Sequence, residues 1–296
     1  MDTIDRSLSE EQRMMRASCR AFVNDFVTPF IRQNWQREWL MDPDARLPRS
    51  ILEQADRIGI RTLGVPEEFG GVPLDPAHEV QTFALISEEI ARGDSGLSDK
   101  LVQIWKVSVL LRNVAPRHLQ ELWFPRIVKD PGFLLAHCLT EPRGASDRWL
   151  PYNAPEAAMQ TRAVLKGDEW VLNGRKQFIS NGYDASLYVV YANTKPGAGM
   201  LQGTSSFLVP RGTPGLTIAR CNETLGGRFM TTASWCSRTC ACPGTTCSSK
   251  TTRSPRPGST SSRARSSRRR KISVSAWLHS SAPPSTCRTT CRAGAS

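Results

Sequence analysis

The chain has 296 residues, 39% of them hydrophobic, enough to bury a sizeable core in one large or two modest domains. A formal net charge of +12 invites a nucleic-acid or anionic-membrane partner, yet residues 1–230 balance 27 basic against 27 acidic side chains, and residues 231–296 carry 12 basic residues and no acid. No run of 18 apolar residues offers a membrane-spanning helix, and the opening MDTIDRSLSEEQ lacks the apolar centre of a signal peptide, so a cytoplasmic protein is expected.

In chain order, Ser9-Glu10-Glu11-Gln12 predicts a capping box, followed by Met15, Cys19, Phe22 and Phe26 at helical spacing until Pro29. A second helix is predicted from Pro48 to Ile58, ended by Gly59, and the loop VPEEFGG at 65–71 reads as a stiff connector. Over 77–92 the pattern puts Val80, Phe83, Ala84, Ser87, Ile90 and Ala91 inward and leaves Glu88 and Glu89 on a solvated face. Further helices are predicted over about 102–113 and 116–128, the second packing Leu119, Leu122 and Trp123.

The period changes after Pro131. FLLAHCLT, AAMQTRAVLKGDEWVLNGRKQFIS, SLYVVYANT and TSSFLVP read as strands, with a turn at Lys166-Gly167-Asp168-Glu169 and with Val164, Trp170 and Leu172 sharing a face. The expected fold class is α+β: an all-helical domain over 1–130, an antiparallel sheet or small barrel over 131–230, and a tail over 231–296 expected to be mostly disordered.

The common nucleotide and hydrolase signatures are missing: no GxGxxG follows a strand, and GxxxxGK, HExxH and GxSxG do not occur. Cys19, Cys138 and Cys221 show no metal-ligand spacing, and no metal site is expected. His137, between apolar neighbours, reads as a structural histidine more readily than as a base or ligand.

TEPRGASD at 140–147 and NGRKQFISNG at 173–182 form a recognisable set with VPEEFGG at 65–71, SEEIARGDSG at 87–96, GTSSFLVP at 203–210 and ETLGGR at 223–228. Their order and spacing strongly resemble the acyl-CoA dehydrogenase family through about residue 230. The resemblance implies FAD as cofactor, an acyl-CoA substrate oxidised to its trans-2-enoyl product, an electron-transfer flavoprotein as acceptor, and assembly as homotetramers or homodimers. It also implies a three-part subunit whose third part, a C-terminal helical bundle, has no counterpart here.

Mapped on this chain, the resemblance assigns Leu139 and Thr140 to the polar edge of the flavin ring, Gly144, Ala145 and Ser146 to a phosphate- and substrate-contacting turn, Phe178 to an aromatic contact and Ser180 to a hydroxyl near the reactive flavin nitrogen. Backbone donors in a small-residue turn suit phosphate charge. Arg143 and the long segment 148–160 depart from the family pattern, which points to an altered substrate entrance or to an inert surface loop. The family's α-proton acceptor is a carboxylate of the C-terminal bundle. Glu67, Glu68, Glu88, Glu89 and Glu141 are carboxylates here, but none matches it, so no catalytic residue is assigned and weak or absent flavin retention without turnover is expected.

The tail holds 27 Ser or Thr and six of the nine cysteines. Trp235 and Cys236 are encoded TGG-TG, so a frame one nucleotide earlier reads valine there, and neighbouring codons permit GELVFEDVRVP, a line that resembles the family's strand after its LGGR-like segment. A frame change near residue 231 is therefore expected. The alternative is a non-catalytic binding or scaffold protein whose SSRARSSRRRK at 261–271 contacts nucleic-acid phosphates, for which the closely spaced charge is weak support. Cys236, Cys240, Cys242 and Cys247 lack the paired spacing of common zinc sites.

Overall fold

The computed structural model describes residues 8–34, 46, 48–144 and 154–243. Among the described residues, six α-helices come first: α1 (Glu10–Phe22), α2 (Thr28–Asn34), α3 (Arg49–Arg57), α4 (Glu79–Ala91), α5 (Ser95–Val114) and α6 (Arg117–Lys129). The strands come next: β1 (Leu135–Cys138), β2 (Arg162–Lys166), β3 (Glu169–Ile179), β4 (Leu187–Asn193), β5 (Thr204–Pro210), β6 (Leu216–Cys221) and β7 (Ala233–Pro243), with a one-turn α7 (Met200–Gly203) before β5.

The capping box at α1 forms as the sequence predicts. Ser9 Oγ accepts from Gln12 N at 3.1 Å while Gln12 Oε1 accepts from Ser9 N at 3.0 Å. Pro29 does not end the helical path. A π-helical turn at Val23–Val27, where Thr28 N–H donates to Val23 O, widens the ladder ahead of the missing proline donor, and α2 continues. α5 starts well before residue 102 because the Asp94 carboxylate caps it, accepting from Leu97 N at 2.8 Å.

Two faces differ from expectation. On α4, Thr82, Leu85, Ile86, Glu89 and Ile90 are buried and Val80 is exposed. Glu89 is therefore not on a solvated face: α1 packs against α4, and its Arg16 and Arg20 bind the Glu89 carboxylate. Leu122 on α6 and Val164 on β2 are exposed, while Phe124 and Ala163 occupy the core positions beside them. Periodicity finds the element but not the rotation its neighbours impose.

The sheet is mixed, in the order β1-β4-β2-β3-β7-β6, with β5 also pairing β4. The hairpin β2–β3 and the pairs β4–β5, β3–β7 and β6–β7 are antiparallel, as alternation predicts. β1 runs parallel to β4, Leu135 opposite Leu187, because the long connection between them carries β2 and β3 and returns in the same direction. One apolar cluster joins the layers, from Ile86, Ile104 and Phe124 of the helices to Leu135, Val190 and Phe207 of the sheet.

One strand begins beyond residue 230. Residues 233–243, assigned to a disordered tail, form β7 between β3 and β6. Ala233, Trp235 and Ser237 are buried in alternation, and Ser237 Oγ donates to Leu172 O at 2.6 Å. Strand pairing is a backbone property and needs only a side-chain period of two, which this acid-free segment happens to supply. The expectations for residues 244–296, including the basic run 261–271, lie outside the described residues.

Candidate functional site

β1 leads out of the core through buried Leu139 to partly exposed Thr140, and β3 anchors the residues just beyond. Gln177 N donates to Thr140 O at 3.0 Å, while Glu141 and Gly144 exchange backbone hydrogen bonds of 2.9 and 3.2 Å that close a tight turn. Beneath this turn Lys176 Nζ donates to Glu141 Oε1 at 2.9 Å and to Leu139 O at 3.2 Å. Glu141 also accepts from Gln160 N and Thr161 N at 2.7 and 2.8 Å. Burial raises the Glu141 carboxyl, but the Lys176 charge and these hydrogen bonds outweigh it and hold the group below its ordinary range.

β3 then carries a bulge. Its pairing with β7 slips by one residue between Lys176, opposite Trp235, and Ile179, opposite Ala233. Within the slip Phe178 takes the left-handed conformation, φ 55°, and its ring is 61% exposed. A bulge re-aims a side chain out of the sheet, and an aromatic residue held there stores about 1–3 kcal/mol of backbone strain. Asn181, φ 56°, sits in the next turn, where its buried amide donates to Lys100 O on α5 at 3.0 Å and to Leu135 O at 3.3 Å. The turn is thereby pinned to both layers.

The result is a cavity of about 230 Å³ between α5 and the ends of β1 and β3, lined by Gln103, Lys106, His137, Leu139, Thr140, Phe178, Ile179 and Ser180. Leu139, Thr140, Phe178 and Ser180, all singled out in the sequence, thus share one wall. Gly144 sits at the close of the neighbouring turn. Ala145 and Ser146 lie outside the described residues.

His137 also meets the cavity, and its Nε2 lies 2.9 Å from the Tyr191 hydroxyl, the rings edge to face. Burial, with lesser repulsion from Lys106 and Lys176, pushes its pKa down to about 3, so the ring is neutral at physiological pH. Its ring nitrogen is thus engaged with tyrosine at the rim of the cavity. Gln103 and Lys106 were not singled out in the sequence. Three residues apart on a helix that buries Ser98, Lys100 and Ser108 as well as Leu101, Ile104, Trp105 and Val107, they are the α5 side chains that meet the cavity.

The family model described as "Acyl-CoA dehydrogenase, N-terminal domain" matches residues 9–130, and that described as "Acyl-CoA dehydrogenase, middle domain" matches residues 136–239. The short-chain specific acyl-CoA dehydrogenase of Rattus norvegicus mitochondria is 30% identical over 238 residues, covering 80% of this chain and 52% of that protein. Among solved structures, an acyl-CoA dehydrogenase from Geobacillus kaustophilus is 29% identical with a TM-score of 0.67, covering 81% of this chain and 58% of the other. The FAD complex of PigA shares the fold, with a TM-score of 0.70 at 24% identity over 84% of this chain and 60% of its own. The chain spans about half the length of the curated relatives it matches.

Proposed function

Since the chain belongs to the acyl-CoA dehydrogenase family, we propose that the cavity between α5 and the β1 and β3 ends receives the ring end of FAD and, beside it, the acyl group of a thioester. The observation that carries this reading is the convergence of Leu139, Thr140, Phe178 and Ser180 on one wall. The residues suit the group. A volume of 230 Å³ is below the roughly 300–1,000 Å³ of pockets that enclose a whole ligand, which suits part of a larger molecule that extends beyond the cleft. The exposed Phe178 ring offers a flat apolar contact, and the Thr140 and Ser180 hydroxyls offer donors for a polar ring edge.

Bound there, a flavin would supply the hydride acceptor that the family's oxidation of a saturated acyl-CoA requires, with an electron-transfer flavoprotein as the onward acceptor. The chain's own residues orient the two reactants: Lys176 and Glu141 hold the β1 exit, and Asn181 holds the turn against α5. None of its carboxylates is assigned as proton acceptor: Glu67, Glu68, Glu88, Glu89 and Glu141 do not match the position of the family's acceptor, and of these Glu141 is committed to Lys176 and Glu89 to Arg16 and Arg20. The reading therefore includes weak FAD binding and no turnover by this chain. Titrating FAD into the full chain tests it: saturable quenching of flavin fluorescence is expected, reduced in Phe178→Ala, with no bleaching of the visible band on adding acyl-CoA. Absence of saturable quenching overturns the site, and bleaching overturns the lack of turnover.

The division into helical and sheet parts near residue 130 and the change of frame near codon 231 belong to the same proposal. Sequencing the DNA of codons 228–240 tests the latter. An acid-bearing reading such as GELVFEDVRVP one nucleotide earlier is expected, and a sequence that does not encode one overturns it.

A further inference from the structure

We infer that Lys100 of α5 is a positioning residue for the cavity: through Asp184 and Thr231 it fixes the helix wall against the turn that follows Phe178, Ile179 and Ser180. The inference rests on the reading of the cavity as a flavin site.

The Lys100 side chain is fully buried, and its Nζ donates to Asp184 Oδ2 at 2.9 Å and to Thr231 Oγ1 at 3.2 Å. Both acceptors belong to the opposite side of the cavity. Asp184 ends the turn that leaves β3: Gly182 N donates to Ile179 O at 2.8 Å, and Asp184 N and Ala185 N donate to Asn181 O at 3.2 and 2.8 Å. Thr231 is tied to the same turn, its carbonyl accepting from Tyr183 N at 3.3 Å. The Lys100 carbonyl takes part as well, accepting from Asn181 Nδ2 at 3.0 Å. One residue of α5 thus grips the turn at two points, one helical turn before Gln103 on the helix wall.

Stability is a poor reason for this arrangement. Burial pulls Lys100 below the ordinary lysine range and the Asp184 charge opposes without restoring it, so the charged lysine costs folding free energy instead of supplying it. Asp184 Oδ1 is buried with no hydrogen-bond partner among the described residues, which leaves the pair incompletely compensated. Apolar side chains of similar volume commonly fill such a space at equal or lower cost. What they lack is direction. Methyl groups in contact tolerate sliding, whereas an ammonium held by a carboxylate and a hydroxyl fixes one register of the turn on the helix. The cavity is where that register matters: Ser180 directly precedes Asn181, and Phe178, left-handed within the β3 bulge, lies two residues before Ser180.

The test uses the full chain carrying Lys100→Met together with Asp184→Leu, which replaces the pair by apolar side chains and strands neither charge. Circular dichroism reports folding and flavin quenching reports affinity. The double variant is expected to stay folded and to bind FAD about tenfold more weakly. Phe178→Ala, which weakens FAD binding in the unaltered chain, is expected to add little to that loss, because both changes act on the same wall. Thr231→Val removes one acceptor and keeps the side-chain shape. It carries the same test where the double variant does not fold, with an expected loss of about threefold. A folded double variant, or a folded Thr231→Val, that binds FAD as the unaltered chain does overturns the inference and leaves the flavin site intact. Full additivity with Phe178→Ala overturns it too, since the loss then arises away from that wall. Absence of saturable quenching in the unaltered chain overturns the flavin site and this inference with it.

Discussion

Lys176 Nζ lies 2.9 Å from Glu141 Oε1 with neither side chain exposed, an ion pair buried under the turn that ends the β1 exit. Removing one partner strands the other charge in a medium that solvates it poorly. Lys176→Met is expected to cost about 3–5 kcal/mol of unfolding free energy, and the double variant with Glu141→Leu to recover a large part of it. Urea denaturation of the three proteins checks this. A double variant no more stable than the single one means that the pair is not the relevant unit.

Glu141 and His137 contribute to the pH dependence of stability with the same sign, opposed by Asp94 and Asp99, whose carboxyls burial raises. Glu141 has its folded pKa below the ordinary 4.5, so its contribution is fully present above that value and is lost as pH falls through the depressed folded value. His137 has its folded pKa at about 3 against an ordinary 6.5: the unfolded chain takes up a proton that the folded chain refuses, and stability declines as pH drops from about 6.5 toward 3. Denaturation midpoints recorded between pH 8 and pH 4 are expected to fall, with the decline beginning near pH 6.5. His137→Phe is expected to flatten the first part of the curve.

Phe178 places binding against stability. Phe178→Gly relieves a left-handed aromatic residue that buries little, and is expected to raise the unfolding free energy by about 1 kcal/mol. The same change removes the flat contact in the cavity and is expected to weaken FAD quenching. Thermal unfolding and flavin titration of one variant read the two effects. Loss of stability together with loss of binding means that the ring is part of the packing.

Trp235 tests whether the acid-free segment belongs to the fold. It is 1% exposed in β7, and Trp235→Ala is expected to cost about 3–5 kcal/mol. Its indole Nε1 has no partner among the described residues, an unmet donor that subtracts from what the ring contributes. A change below about 0.5 kcal/mol, the range of ordinary surface substitutions, shows that residues 233–243 do not hold the strand position.

Much of the architecture is legible in the sequence because it is written in local signals. Ser9 with Gln12 marks the first helix, Gly59 ends the third, and Gly167, at φ 59°, turns β2 into β3. What requires the partner element is not. The rotation of α4 depends on arginines of α1 reaching Glu89, and the parallel placement of β1 depends on β4, both far along the chain. At the site, Leu139, Thr140, Phe178 and Ser180 are legible through the family motifs they resemble. Gln103 and Lys106 belong to none of those motifs, and their significance emerges only when α5 is laid over the sheet and both fall on the cavity.

The position of β7 bears on the order in which the molecule is completed. Among the described residues Leu216–Cys221 pairs only with β7, and β7 alone joins it to β3. On a ribosome, where the N-terminal part of the chain emerges first, that segment has no neighbour to join until residues 233–243 have cleared the exit. The helices and the other strands can meanwhile settle, leaving β3 with an unpaired side awaiting the arriving polypeptide. Whatever the coding DNA specifies after codon 230 therefore decides both how that side is covered and whether the preceding strand is incorporated at all.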